Sequence, residues 1–167
     1  MMPNVYSMML SSMLVALAAM LTYFPRRGAC AVALFALIIA SLSPYCVIAP
    51  ATLIFWGIAA LIAMGIEALL PRHIAESRVG IPYIATAALA AMMVGLTLMA
   101  SATIIIGSVI GALLGAVAFS RTRAGASLGF PSRQFFNYLA AKGLPIVVAA
   151  STIGITIAAL IASGGVR

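Results

Sequence analysis

Only two acidic side chains stand among the 167 residues, and one of them, Glu67, lies inside the apolar run Ile62 to Leu70. A carboxylate in such a setting can take up and release a proton, or balance a cation. Held ionised at the centre of a bilayer it costs about 2.5–3.5 kcal/mol, and less toward the interface. Residues kept at that cost commonly serve transport, so Glu67 is the candidate ion or proton site. A structural role competes with this one. Pro71 lies four residues on, ~6 Å along a helix, so Glu67 can also reach headgroups or pair with Arg72 or Arg78.

Other reactive types are sparse. His73 and Glu76 fall three apart and would offer two metal ligands if the helix ran on, which is too few to hold a metal without further donors. No metal and no cofactor are expected. Ser151, Thr152 and Thr156 place hydroxyls along one apolar segment, where such groups usually bond back to their own backbone carbonyls. Cys30 and Cys46 would lie ~24 Å apart on one helix, beyond the ~7 Å that a disulfide tolerates, and read as packing residues. No Walker loop, zinc HExxH, nucleophile elbow or carboxylate pair is present, so the chain does not read as an enzyme.

The elements that must position these groups follow from composition. The chain is 65% hydrophobic and 7% charged, with a mean hydropathy of +1.26. Too few charges remain to cover a soluble surface. A bilayer-spanning helix needs ~20 apolar residues. The chain reads as all-α and polytopic in one transmembrane domain, with six spans near 6–24, 28–43, 51–70, 82–98, 103–120 and 144–162. The boundary between the fourth and fifth spans is weakly marked, by Ser101 and Thr103. It rests on length: Ile81 to Phe119 is ~58 Å of helix, against a hydrocarbon core of about 30 Å. Tyr45, and Trp56 a little further on, suit an interfacial aromatic belt.

Charge sets the orientation. No Lys or Arg precedes the first span, whereas Arg26 and Arg27 follow it, which describes an anchor with its N-terminus outside. Arg26, Arg27, Arg72, Arg78, Arg121, Arg123, Arg133 and Lys142 then face the cytoplasm, and Arg167 alone lies outside. Six spans with both termini outside a bacterial inner membrane satisfy the positive-inside rule. They also give the two three-helix halves opposite orientation, as inverted repeats would have. The net charge of +7 belongs to those connections, and no nucleic acid is expected as a partner.

Within the fifth span Gly107, Gly111 and Gly115 fall four apart and form a stripe without side chains. Ala87, Ala91 and Gly95 repeat the spacing in the fourth span, and Ala150, Gly154, Ala158 and Ala162 in the sixth. Such a glycine-zipper face lets helices approach closely, within one chain or toward a second copy or a membrane partner. Between the fifth and sixth spans, residues 131–142 read as a short amphipathic helix in the interface, with Phe135, Phe136 and Leu139 as its apolar side. Arg121, Arg123, Arg133 and Lys142 around it are candidate contacts for anionic lipid or a partner.

From Leu53 to Ile161 the chain resembles the small bacterial membrane proteins of domain of unknown function family four-five-six. Three features carry the likeness. An acid closes a span just before proline, Glu67 to Pro71; a basic connection precedes a small-residue helix with Gly95 near its end; and IIIGSVIGALLG is followed by a polar connection and a last span. The family's glycine-proline-rich stretch after the first helix is replaced by Phe24-Pro25-Arg26-Arg27 and Ser43-Pro44. The resemblance implies a multi-span membrane protein and no activity. Two functions stay open: a small transporter, channel or exporter component with a titratable Glu67, and a non-catalytic assembly or interaction subunit using the glycine face.

Overall fold

The computed structural model describes residues 3–24, 28–43, 46, 48–69 and 78–164, without the side chains of residues 3–5 and 67. Arg26, Arg27, Tyr45, Arg72, His73, Glu76 and Arg167 lie outside the described residues, as does the Glu67 side chain. All regular structure among the described residues is helical. The elements are α1 (Pro3–Leu21), α2 (Ala29–Ser41), α3 (Pro50–Leu69), α4 (Ile81–Leu96), α5 (Ser101–Ser120), α6 (Arg133–Tyr138) and α7 (Leu144–Gly164). Short 3₁₀ turns occupy Arg78–Gly80 and Ala126–Leu128, and a π-helical turn, Leu139–Gly143, joins α6 to α7.

This is the fold of a helical membrane protein. Three helical stretches, Arg78–Leu96, Ser101–Ser120 and Arg133–Ser163, are long and apolar enough to cross a bilayer. Shorter apolar helices cover Tyr6–Leu21, Ala29–Ser41 and Pro50–Ile66. Of these α2 is the shortest: thirteen residues rise only ~20 Å.

α7 is the axis of the bundle. It packs against α1, α2, α3, α4 and α5, and every residue from Val148 to Thr156 is buried. A helix enclosed on all sides for more than two turns needs apolar or small residues all round, and Ala149, Ala150 and Gly154 provide the small ones. At Gly154 α7 lies close against the α4–α5 hairpin: a Cβ there would stand 2.5 Å from Ile104 Cγ2. One core joins Ala33 and Leu37 of α2, Trp56 of α3, Met92 of α4, Ile104 of α5 and Ile153 of α7. A second lies toward the other end of the hairpin, around Ile84, Ala88, Ala112, Phe119, Phe135 and Tyr138.

The two long helices of the hairpin are separate, as the length limit requires. They part at Thr97–Ala100 rather than at 99–103, with Met99 in the left-handed region at φ 52°. Three other expectations need correcting. Trp56 is 5% exposed and sits in the core, while its neighbour Phe55 is exposed. The reason is its stripe: Trp56, Ala60 and Ala63 form the inward face of α3, so the indole fills the space that the small residues leave narrower further on. The amphipathic segment is not a separate interfacial helix either. α6 is only six residues long, and it continues through the π turn into α7. Its Phe135 is fully buried, as is Tyr138, while Phe136 is exposed. The π turn precedes Pro145, whose ring would clash with a carbonyl one turn earlier in a regular helix and which has no N–H to donate. Finally, the second helix is shorter than the expected 28–43.

Side-chain hydrogen bonds tie α1 to α2, and α2 and the segment after it to α7. Ser11 Oγ donates to Ala36 O at 3.0 Å, a buried bond between α1 and α2. Ser11→Ala should lower stability by about 0.6 kcal/mol, the average for such bonds in membrane bundles, when unfolding is followed in bicelles. The Cys30 thiol donates to Pro145 O at 3.0 Å, and the Cys46 thiol to Ala159 O at 3.6 Å. Neither cysteine is in a disulfide, and both are buried. The start of α2 is thus held at the start of α7, and the segment after α2 near the far end of α7. α2 and α7 therefore run in the same direction.

Candidate functional site

Three features of the bundle meet the residues whose types suggested function: the α4–α5 seam, the basic end, and the junction of α3 with the π turn.

Along the seam, each step of four on α5 meets a step of four on α4 running the other way. A Cβ on Gly107 would lie 2.5 Å from Ala91 O. One on Gly111 would strike Ala87 O, one on Gly115 would strike Tyr83 O, and one on Gly95 would strike Thr103 O. These are backbone-to-backbone approaches that no side chain can enter, of the kind that Cα–H···O contacts support. Gly111 and Gly115 are buried, and Gly107 is partly open at the edge. Ala91, Ala87 and Tyr83 therefore serve as the partners of Gly107, Gly111 and Gly115 within one chain, while Gly95 meets Thr103. The glycine stripe is occupied by α4, so it is not a free face for a second copy. Outside the seam, an apolar groove of about 340 Å³ runs past Val94, Leu98, Ile106, Gly107 and Ile110.

The basic end is built where α4 starts, α5 stops and α6 lies. Arg78, Arg121, Arg123 and Arg133 are exposed there. Beneath them is an aromatic layer. The Phe119 ring stands 5.8 Å from Tyr83 and 5.8 Å from Tyr138, and Phe135 packs edge-on against Phe130 and Phe136. Gly80 lies under Tyr138 and Phe119, so close that a Cβ would meet both. Ser132 caps α6 by accepting from Phe135 N at 3.0 Å. Among the described cations, Lys142 alone is half-buried.

Lys142 stands in the π turn between Ala141 and Gly143, both buried. Ala140, Gly143, Leu144 and Val147 line a groove against Val109 and Leu113 of α5. Residue 142 therefore occupies the opposite flank, and α3 is among the helices that pack on this turn. Glu67 belongs to the last turn of α3. Ala63 is four residues before it and fully buried, so position 67 is in helical register with Trp56, Ala60 and Ala63.

The hydroxyls of α7 do not form a polar track. Thr152 Oγ1 donates to Val148 O at 2.7 Å, and Thr156 Oγ1 to Thr152 O at 2.8 Å. Ser151 is buried and its Oγ has no partner among the described residues. Sequence reasoning missed the anchoring thiols of Cys30 and Cys46, the aromatic layer around Phe119 and the π turn. Of these only Pro145 was a visible signal, since a proline just inside an apolar helix often distorts it. No protein-family model, curated protein or solved structure matches this chain.

Proposed function

We propose that this chain is a six-span protein of a bacterial inner membrane, with its basic end in the cytoplasm and both termini outside. In this reading it works as a small transporter or exporter component, and Glu67 is its titratable site. The supporting observation is the register of α3. Position 67 is in helical register with Trp56, Ala60 and Ala63, which are the buried residues of α3. The charge distribution supports the orientation, because Arg78, Arg121, Arg123 and Arg133 share one end.

The test is proton and cation flux into proteoliposomes. Wild type should conduct above empty liposomes, and Glu67→Gln should lose at least nine tenths of that flux while remaining equally folded. Equal flux in both proteins would remove Glu67 from the pathway. Flux at the level of empty liposomes in both would remove the transport reading. A non-catalytic assembly subunit is the second reading. The open groove beside Gly107 favours it, since an apolar helix of a partner would fit against Val94, Leu98 and Ile106.

A further inference from the structure

The groove between α5 and the run from α6 into α7 holds about 260 Å³. Val109 and Leu113 of α5 form one wall, and Phe136, Ala140 and Leu144 form the other. Every residue that lines it is apolar. Val109, Leu113 and Phe136 are exposed, as is Ala140, so in a bilayer the groove opens to lipid. Arg133 stands three residues before Phe136 on α6, about one turn or ~4.5 Å along the helix. It is seven before Ala140, so the three positions share a flank. The apolar wall therefore ends at an exposed guanidinium, and Arg121 and Arg123 are exposed at the same end of the bundle. The chain has nine basic and two acidic side chains, so most of its positive charge is balanced from outside the protein. The groove beside Gly107 differs. It is lined only from α4, the turn after α4, and α5, toward the end of the hairpin opposite the arginines.

We infer that the groove between α5 and α7 binds one anionic phospholipid. An acyl chain lies along the apolar walls and the headgroup phosphate is held by Arg133, with Arg121 and Arg123 adding to the attraction. A guanidinium presents two parallel N–H donors to phosphate oxygens, which gives the contact geometry as well as charge. Basic residues at this depth draw anionic lipid from the surrounding leaflet. The chain of a lipid meets no polar group along the groove and gains dispersion contacts on both sides. A lipid matches the apolar wall and the cation together, whereas an apolar helix of a partner matches the wall alone. Lys142 occupies the opposite flank of the π turn and takes no part. The inference is independent of Glu67 and of the transport reading.

Native mass spectrometry of the full chain in detergent tests the site, with dioleoyl phosphatidylglycerol or dioleoyl phosphatidylethanolamine titrated in. The two lipids carry the same chains. Wild type should hold one phosphatidylglycerol about fivefold or more tightly than phosphatidylethanolamine. Arg133→Gln should weaken phosphatidylglycerol about fivefold, the effect of one basic residue near an anionic surface. Phosphatidylethanolamine, whose ammonium offsets its phosphate, should weaken much less. Arg78→Gln should leave both lipids bound as in wild type, since α4 lines no part of this groove. Ala140→Trp should fill the groove and lower retention of both lipids; if it does not fold, Val109→Trp fills the space from the other wall. Equal retention of the two lipids by wild type would overturn the site. Equal losses in Arg78→Gln and Arg133→Gln, or a folded tryptophan variant that keeps its lipid, would do the same. A wild-type dimer that Ala140→Trp dissociates would overturn it too, because the groove would then hold a second copy.

Discussion

Gly111→Leu is expected to separate α4 from α5 and to lower stability by about 3 kcal/mol or more, at the upper end of what overpacking costs. At Gly111 the atoms in the way are Ala87 O, Ala87 C and Ala88 Cα. A flexible side chain can turn aside, but a helix backbone moves only as a whole. Displacing α4 at Ala87 would also lift Ala91 off Gly107 and Tyr83 off Gly115, because all three contacts lie along the same pair of rigid rods. Each Cα–H···O approach lost forfeits about 0.5–1 kcal/mol. Gly57→Leu is the control. A Cβ there meets nothing within 4 Å, and replacing a mid-helix glycine gains helix propensity of up to ~1 kcal/mol. Equilibrium unfolding in bicelles should therefore give opposite signs at the two positions. A neutral Gly111→Leu would mean that the hairpin seam contributes nothing to stability.

Phe119→Ala has the next largest expected effect, a loss of about 3 kcal/mol. Phe119 is fully buried between Tyr83 and Tyr138, and so joins the start of α4, the end of α5 and α6. In a bilayer the transfer of a benzyl group between lipid and protein is close to neutral, so the loss comes from contacts around the empty space. Two ring pairs add about 0.5–1.5 kcal/mol each to what packing supplies. Phe119→Leu keeps most of the volume and should cost less than half as much. Thermal unfolding of the two variants checks the ratio. Proteolysis at the basic connection should rise in Phe119→Ala alone, because α6 loses the ring that holds Tyr138. Equal losses for Ala and Leu would show that the ring geometry is immaterial.

Much of the element pattern was legible in the chain itself. Apolar runs and basic connections marked the helices to within a few residues, because a backbone in lipid has to satisfy its own hydrogen bonds and charges have to stay out. The weak boundary after Leu96 was recoverable from length alone, since one helix from Ile81 to Phe119 would far exceed the bilayer. Glycine spacing announced a close-packed face at Gly107, Gly111 and Gly115. It could not say whether that face meets another helix of the same chain or a second copy, because both contacts make the same demand for small residues.

Which face of each helix turns inward was decided by tertiary structure. In a soluble protein hydropathy repeats with the helix and reveals the buried side. In a membrane bundle lipid and core are equally apolar, so Trp56 and Phe55 look interchangeable in sequence although one is buried and the other exposed. The central position of α7, the thiols of Cys30 and Cys46 on its carbonyls, and the π turn before Pro145 all depend on neighbours distant in the chain. Glu67 shows both sides of the division. Its chemical type and its apolar surroundings were readable at once. Its register with Trp56, Ala60 and Ala63 acquired meaning only when the burial of those three showed which way α3 faces, because a helix in lipid is turned by packing and not by polarity.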